Sequence, residues 1–226
     1  MVVAVNYAKI GRRQKFAMIK FLYDFCLMFS QWVFSMGKRE VAMIKEIGGN
    51  IERFAGETVR KKVMEGNEKI TASSDRKETA EWVKGAMERL DALVDEKTRI
   101  EIMENCGYKC ASMNKSLIER AKAKLKKYEG IDEFLKAGRS ILPGTRLVRE
   151  GDVLYLFYTP HLFTRPMRCY CSLVNSIEDN VSLTYCHCSK GFVKKFWEAV
   201  LERPVKVELL QSTMSGAQEC KFAIRL

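Results

Sequence analysis

A chain of 226 residues, 47% hydrophobic and 30% charged, is long enough to bury its own core and too mixed in character to be disordered or membrane-embedded throughout. Its 39 Lys and Arg against 28 Asp and Glu leave a net charge of +11, which favours anionic partners but says little about fold. Eight cysteines with no recognisable cleavage signal before them read as reduced, metal-bound or redox-active thiols in the cytoplasm, rather than as a secreted disulfide framework.

Residues 1–35 read as an extension. Arg12, Arg13, Lys15 and Lys20 precede an apolar run, Phe21 to Met36, that Asp24 and Gln31 interrupt. A spanning helix needs about 20 uninterrupted apolar residues. An extra packed helix, or a start at Met36 or Met43, is therefore preferred to a weak anchor, and no stable membrane insertion is expected. Cys26, alone in this run, reads as buried apolar filler.

Residues 36–140 are expected to be helical. Val41, Ile44, Ile47, Ile51, Phe54, Val59 and Val63 recur at helical spacing, with Gly48-Gly49 as the expected kink. Gly66 to Asp75 reads as a linker, and Asp75 with Glu78 as the capping box of a helix that buries Trp82, Ala86, Leu90, Leu93 and Val94. A second start near Asp95 leads through Cys106 and Cys110 to Lys115–Lys127, where Leu117, Ile118, Ala121 and Leu125 form one apolar stripe beneath a solvated basic face. Ile131 to Ser140 follows.

At Pro143-Gly144 the period changes. Leu147–Arg149, Val153–Tyr158, Met167–Leu173, Val181–Cys186, Val205–Leu210 and Cys220–Ile224 read as strands, and one helix, Gly191 to Glu202, is capped by Ser189. The fold class is α+β: a helical amino-terminal half on an antiparallel sheet with one late helix. Residues 141–226 form the ligand-binding region, and 36–226 one globular unit.

Gly191-Phe192, Pro204-Val205-x-Val207-Glu208, Gly216 and the closing Cys220-x-Phe222-x-Ile224 resemble the carboxy-terminal signature of the 4-vinyl-reductase domain. The related aminothiazoline-carboxylate hydrolase family ends in a similar hairpin. The resemblance covers the last third and implies an α+β module that encloses a small ligand or metal, in an accessory or sensory role. At the level of fold signature it carries across to Glu208, Gly216, Cys220 and Phe222. The further cysteine that commonly follows the Val-x-Val-Glu strand is replaced here by Leu210, Gln211 and Ser212.

The cysteines carry the chemistry. Cys169 and Cys171 are symmetric with Cys186 and Cys188 about the Glu178–Asp179 bond, so an antiparallel hairpin turning there would line four thiols on one face. Cys106 and Cys110, four apart, share a face if helical, and would roof that hairpin. Cys106, Cys110, Cys169, Cys171, Cys186 and Cys188 are thus the expected metal ligands. Zinc is the first occupant and an iron–sulfur cluster the second, since both favour thiolates; packed reduced thiols and cross-strand disulfides are the competing readings. Alternation sends His187 to the opposite strand face, and His161 has no spacing argument in its favour.

No Gly-rich phosphate loop, His-Glu-x-x-His helix or paired-carboxylate motif is present, so the reading leans away from an enzyme. The expectation is a small-molecule or metal-binding accessory or sensor protein, compatible with a homodimer. A cysteine-dependent hydrolase of the aminothiazoline-carboxylate type is the alternative, and a basic nucleic-acid accessory protein the weaker one, since no nucleic-acid signature or aromatic-basic alternation supports it.

Overall fold

A computed structural model describes residues 37–226 except 143, 159–160, 163–164 and 167–168, with the backbone alone at 161–162 and 165–166. The extension over 1–35, including Cys26, lies outside the described residues. Helix α1 occupies 37–55. It ends at Gly56, whose φ of +87° belongs to the left-handed region that glycine enters freely. The helix runs unbroken through Gly48-Gly49, with Gly48 against the Met64 side chain. Helix α2 (Glu57–Val63) follows, and the Arg89 guanidinium donates two hydrogen bonds to its last carbonyl, Val63 O, at 3.0 and 2.8 Å.

Helix α3 (Arg76–Leu93) begins as its sequence foretells, Asp75 accepting from the N–H groups of Lys77 and Glu78 at 2.8 and 3.2 Å. Helix α4 (Glu96–Met113) starts on Asp95, which accepts from Thr98 N–H at 3.1 Å. The basic helix α5 (Lys115–Leu125) buries Ile118 and Ala121, and the short α6 (Ile131–Lys136) buries Phe134.

Strands β1 (Thr145–Glu150), β2 (Val153–Tyr158), β5 (Lys206–Gln211) and β6 (Cys220–Arg225) form one antiparallel sheet in the order β1-β2-β6-β5. Between them, β3 (His161–Leu162) and β4 (Arg165–Pro166) pair as a small ribbon. Helix α7 (Leu183–Leu201) covers the inner sheet face, where Val193, Phe196, Trp197 and Val200 meet Leu154, Leu156, Val207, Phe222 and Ile224. The α+β class and the late helix are as expected. Among the described residues no helix is long and apolar enough to cross a membrane.

Two expected strands are absent among the described residues. Cys169 to Leu173 is irregular chain, and Leu183 onward is the first turn of α7, capped by Ser182, whose hydroxyl accepts from Thr184 N–H at 3.2 Å, and not by Ser189. Thr184, Tyr185 and Cys186 are buried in succession. A one-sided strand would alternate, whereas a helix start wedged between neighbours does not. The hairpin centred on Glu178–Asp179 therefore does not exist.

The contact that sets the rest is the crossing of α4 and α7 at Gly107 and Gly191. A Cβ on Gly107 would strike the Cys188 carbonyl oxygen and lie 2.6 Å from Phe192 N; one on Gly191 would strike the Glu104 carbonyl oxygen and lie 2.8 Å from its carbonyl carbon. The two backbones touch, and no flexible side chain is available to yield. An ion pair between Lys190 and Glu104 flanks the contact. A short network fixes α7's first turn, with Thr184 Oγ1 donating to Asp91 Oδ1 at 2.6 Å and Arg99 pairing with the same carboxylate at 3.1 Å.

We expect Gly107→Ala and Gly191→Ala each to destabilise the chain by about 2–3 kcal/mol or more, because the added methyl meets backbone. Gly49→Ala, with nothing within 4 Å of its new methyl, should instead stabilise α1 by roughly 0.5–1 kcal/mol. Urea denaturation midpoints distinguish the sites; equal effects at all three would contradict a backbone contact at the crossing.

Candidate functional site

The crossing gathers the thiols. Seven cysteines are described, all free, and they come from α4, the irregular segment before α7, α7 itself and β6. Cys106 and Cys110 lie one turn apart on α4, as the spacing predicts. Cys186 and Cys188 do not share a face: two residues on a helix differ by about 200°. They point to opposite ends of one thiol region.

At one end, Cys188 is the hub. Its electrostatic neighbours are the thiols of Cys106, Cys171, Cys110 and Cys169, and burial among them raises its pKa well above the ordinary range. Cys106 accepts from Asn50 Nδ2 at 3.4 Å, a polar group set into the apolar stripe of α1. Burial drives the Cys106 pKa to about 12, and burial with the nearby Cys171 drives Cys110 to about 11. Cys110 Sγ also receives a longer contact from Asn114 Nδ2 at 3.7 Å.

At the other end, Cys186 shares a hydrogen bond with Ser212 Oγ at 2.9 Å and has Cys220 as a neighbour; burial raises it to about 11. Cys220, on the inward face of β6, accepts from Thr213 N–H at 3.5 Å. Cys169 and Cys171 join the two ends. The Cys171 N–H donates to Cys169 Sγ at 3.4 Å, and Cys171 Sγ shares a hydrogen bond with Tyr185 OH at 3.0 Å. Burial raises both thiols, and Tyr185 and Tyr158 beside them.

Chemically, burial favours the protonated form of Cys106, Cys110, Cys169, Cys171, Cys186 and Cys188. A thiolate nucleophile needs a lowered pKa; here every shift that is resolved goes up, with desolvation the leading cause. His187 is half-buried outside the thiol region, its pKa lowered by burial and by Lys190, and its Nδ1 is buried without a hydrogen-bond partner. Of His161 only the backbone is described, in β3. Among the described residues no three His, Cys, Asp or Glu side chains form a ready-made metal-ligand group.

The six expected thiols thus share one neighbourhood set by a helix crossing and not by a hairpin floor under a roof, without three of them forming a ready ligand group among the described residues. Sequence reasoning missed Cys220 as a seventh member, although strand alternation with Phe222 and Ile224 places it inward. It also missed Asn50, Tyr185 and Ser212, for which the one available signal was a polar residue interrupting an apolar stripe at Asn50.

Since the thiols are protonated in the folded chain at pH values where the unfolded chain has begun to ionise, stability is full below about pH 9 and falls as pH rises toward 11 and 12. Denaturation midpoints from about pH 7.5 to pH 10 under reducing conditions should fall, and less steeply for Cys186→Ala. Parallel curves for the two proteins would contradict burial of Cys186 as a neutral thiol.

No curated protein matches the sequence. Among solved structures, an H-NOX protein from S. oneidensis in the Fe(II)NO ligation state is similar at a TM-score of 0.43 and 10% identity, over 82% of this chain and 98% of that one. Likeness at that level leaves function to the residues themselves. Residues 38–226 match a family of unknown function, DUF6144, and the chain belongs to that family.

Proposed function

We propose that the protein is an accessory or sensor module whose responsive element is the thiol core at the α4–α7 crossing, with a thiophilic metal ion, zinc first, as its occupant. The observation that carries this reading is the packing of Cys106, Cys169, Cys171, Cys186 and Cys188 in one core cluster, with Cys110 and Cys220 as their electrostatic neighbours. A site made chiefly of thiols, with the Glu46 and Glu40 carboxylates near Cys106 and Cys171, favours soft ions. The upward pKa shifts of the buried thiols favour binding over nucleophilic catalysis, and so a non-catalytic role over the cysteine-dependent hydrolase. The free thiols also support a reducing compartment such as the cytoplasm.

Ion capture would deprotonate thiols whose burial now keeps them neutral, the ion's charge offsetting the desolvation of the thiolates. Cys110, Cys171 and Cys188 are the partly exposed members. The stretch that holds Cys169 and Cys171 belongs to no helix or strand, and could shift toward Cys188 without breaking a ladder.

Full-length protein purified anaerobically should retain about one zinc per chain, and zinc should shield Cys110 and Cys171, both partly exposed, from alkylation as followed by mass spectrometry. Cys188→Ser should abolish both effects. Metal-free protein whose alkylation pattern is unchanged by added zinc would overturn the reading.

A further inference from the structure

The outer face of the sheet carries a second arrangement, independent of the thiols. Inward residues of β2 and β6, namely Leu154, Leu156, Phe222 and Ile224, are buried, so Tyr155 and Phe157 on β2 and Lys221 on β6 face outward. The register places Arg146 of β1 and Lys221 of β6 directly on either side of Phe157. The Arg146 guanidinium lies over the Phe157 ring, 3.8 Å from its centroid, and Lys221 Nζ sits 5.2 Å from Phe157 and 4.5 Å from Tyr155. The row Arg146, Phe157, Lys221 is therefore an alternation of cation and aromatic ring running across the strands.

We propose that this face binds single-stranded nucleic acid. A guanidinium stacked on a ring is a flat, preoriented platform, and unpaired bases stack on both aromatic rings and guanidinium planes. The Arg146 side chain is 57% exposed and pairs with Glu219 at 3.4 Å, an exposure that would admit a base on the outer plane of the guanidinium. Lys221 in the same row and Lys206 at the end of the next strand have no carboxylate partner among the described residues, and are placed to meet backbone phosphates. The chain's net charge of +11 has the matching sign. Duplex fits poorly, because its bases are already stacked and a sheet of this kind offers nothing that enters a groove.

Fluorescence anisotropy of the full chain with an end-labelled single-stranded RNA of about 12 nucleotides, and with the duplex of the same sequence, tests this at salt near 50 and 200 mM. Binding to the single strand should exceed duplex binding by roughly tenfold and weaken with salt. Phe157→Leu, which keeps an apolar cover, and Arg146→Gln, at an exposed position, should each weaken it roughly tenfold. Failure of the wild type to bind near 50 mM salt, or equal binding of duplex, overturns the proposal. So does loss of binding in a Lys115→Gln, Lys126→Gln, Lys127→Gln protein while Arg146→Gln binds normally, since the site would then be the face of α5.

Discussion

Two glycines hold this structure in register. At Gly107 and Gly191 the backbones of α4 and α7 meet with no side chain between them, a distance of approach that any larger residue would forbid. That closeness fixes what can stand beside it. Cys106 adjoins one glycine, Cys188 lies a turn before the other, and thiols are small enough to fill the narrow space around a backbone contact while still packing as hydrophobes. The cysteine content and the crossing are two views of one constraint. The same helix then turns its other end, Val193 through Val200, onto the sheet, so that α7 joins the helical half to the strands.

Chemical behaviour follows from where those thiols sit. Burial removes most of the water around Cys106, Cys110, Cys169, Cys171, Cys186 and Cys188, so their neutral form is favoured and they are slow as nucleophiles. What rescues an ionised thiol in such a place is a cation that arrives with its own charge. A soft metal ion meets that need, while a substrate awaiting attack does not. A hydrolase would want one cysteine set apart by a base or a helix N-terminus. Cys186 stands in the first turn of α7, yet burial raises its pKa rather than lowering it, the opposite of what an activated nucleophile needs.

Much of the architecture was legible along the chain because the signals were local. Asp75 and Asp95 announced two helices through capping that each side chain performs on its own neighbours, and the alternation in Val153–Tyr158 and Cys220–Ile224 was that of strands with one dry face. The hairpin failed for a related reason. Symmetric cysteine spacing is a local pattern too, but it has a helical reading in which Cys186 and Cys188 diverge, and only the crossing partner, some 80 residues earlier at Gly107, decides between the two. The glycines themselves were unreadable as a contact, since a close approach leaves no mark on either sequence alone. Aromatic-basic alternation is missing along the sequence; it runs between strands, through Arg146, Phe157 and Lys221, where only register can reveal it.

The thiol core and the outer sheet face are therefore separable, the first dependent on the helix crossing and the second on strand register. The direct test of the crossing is the rate at which individual cysteines are alkylated in the native, reduced protein and in Gly191→Ala, resolved by mass spectrometry near pH 8. Cys106 and Cys188 should be protected together in the wild type and become reactive together when the methyl forces the helices apart. Rapid modification of either one in the wild type, or unchanged protection in Gly191→Ala, would contradict a thiol core built on contact between these two backbones.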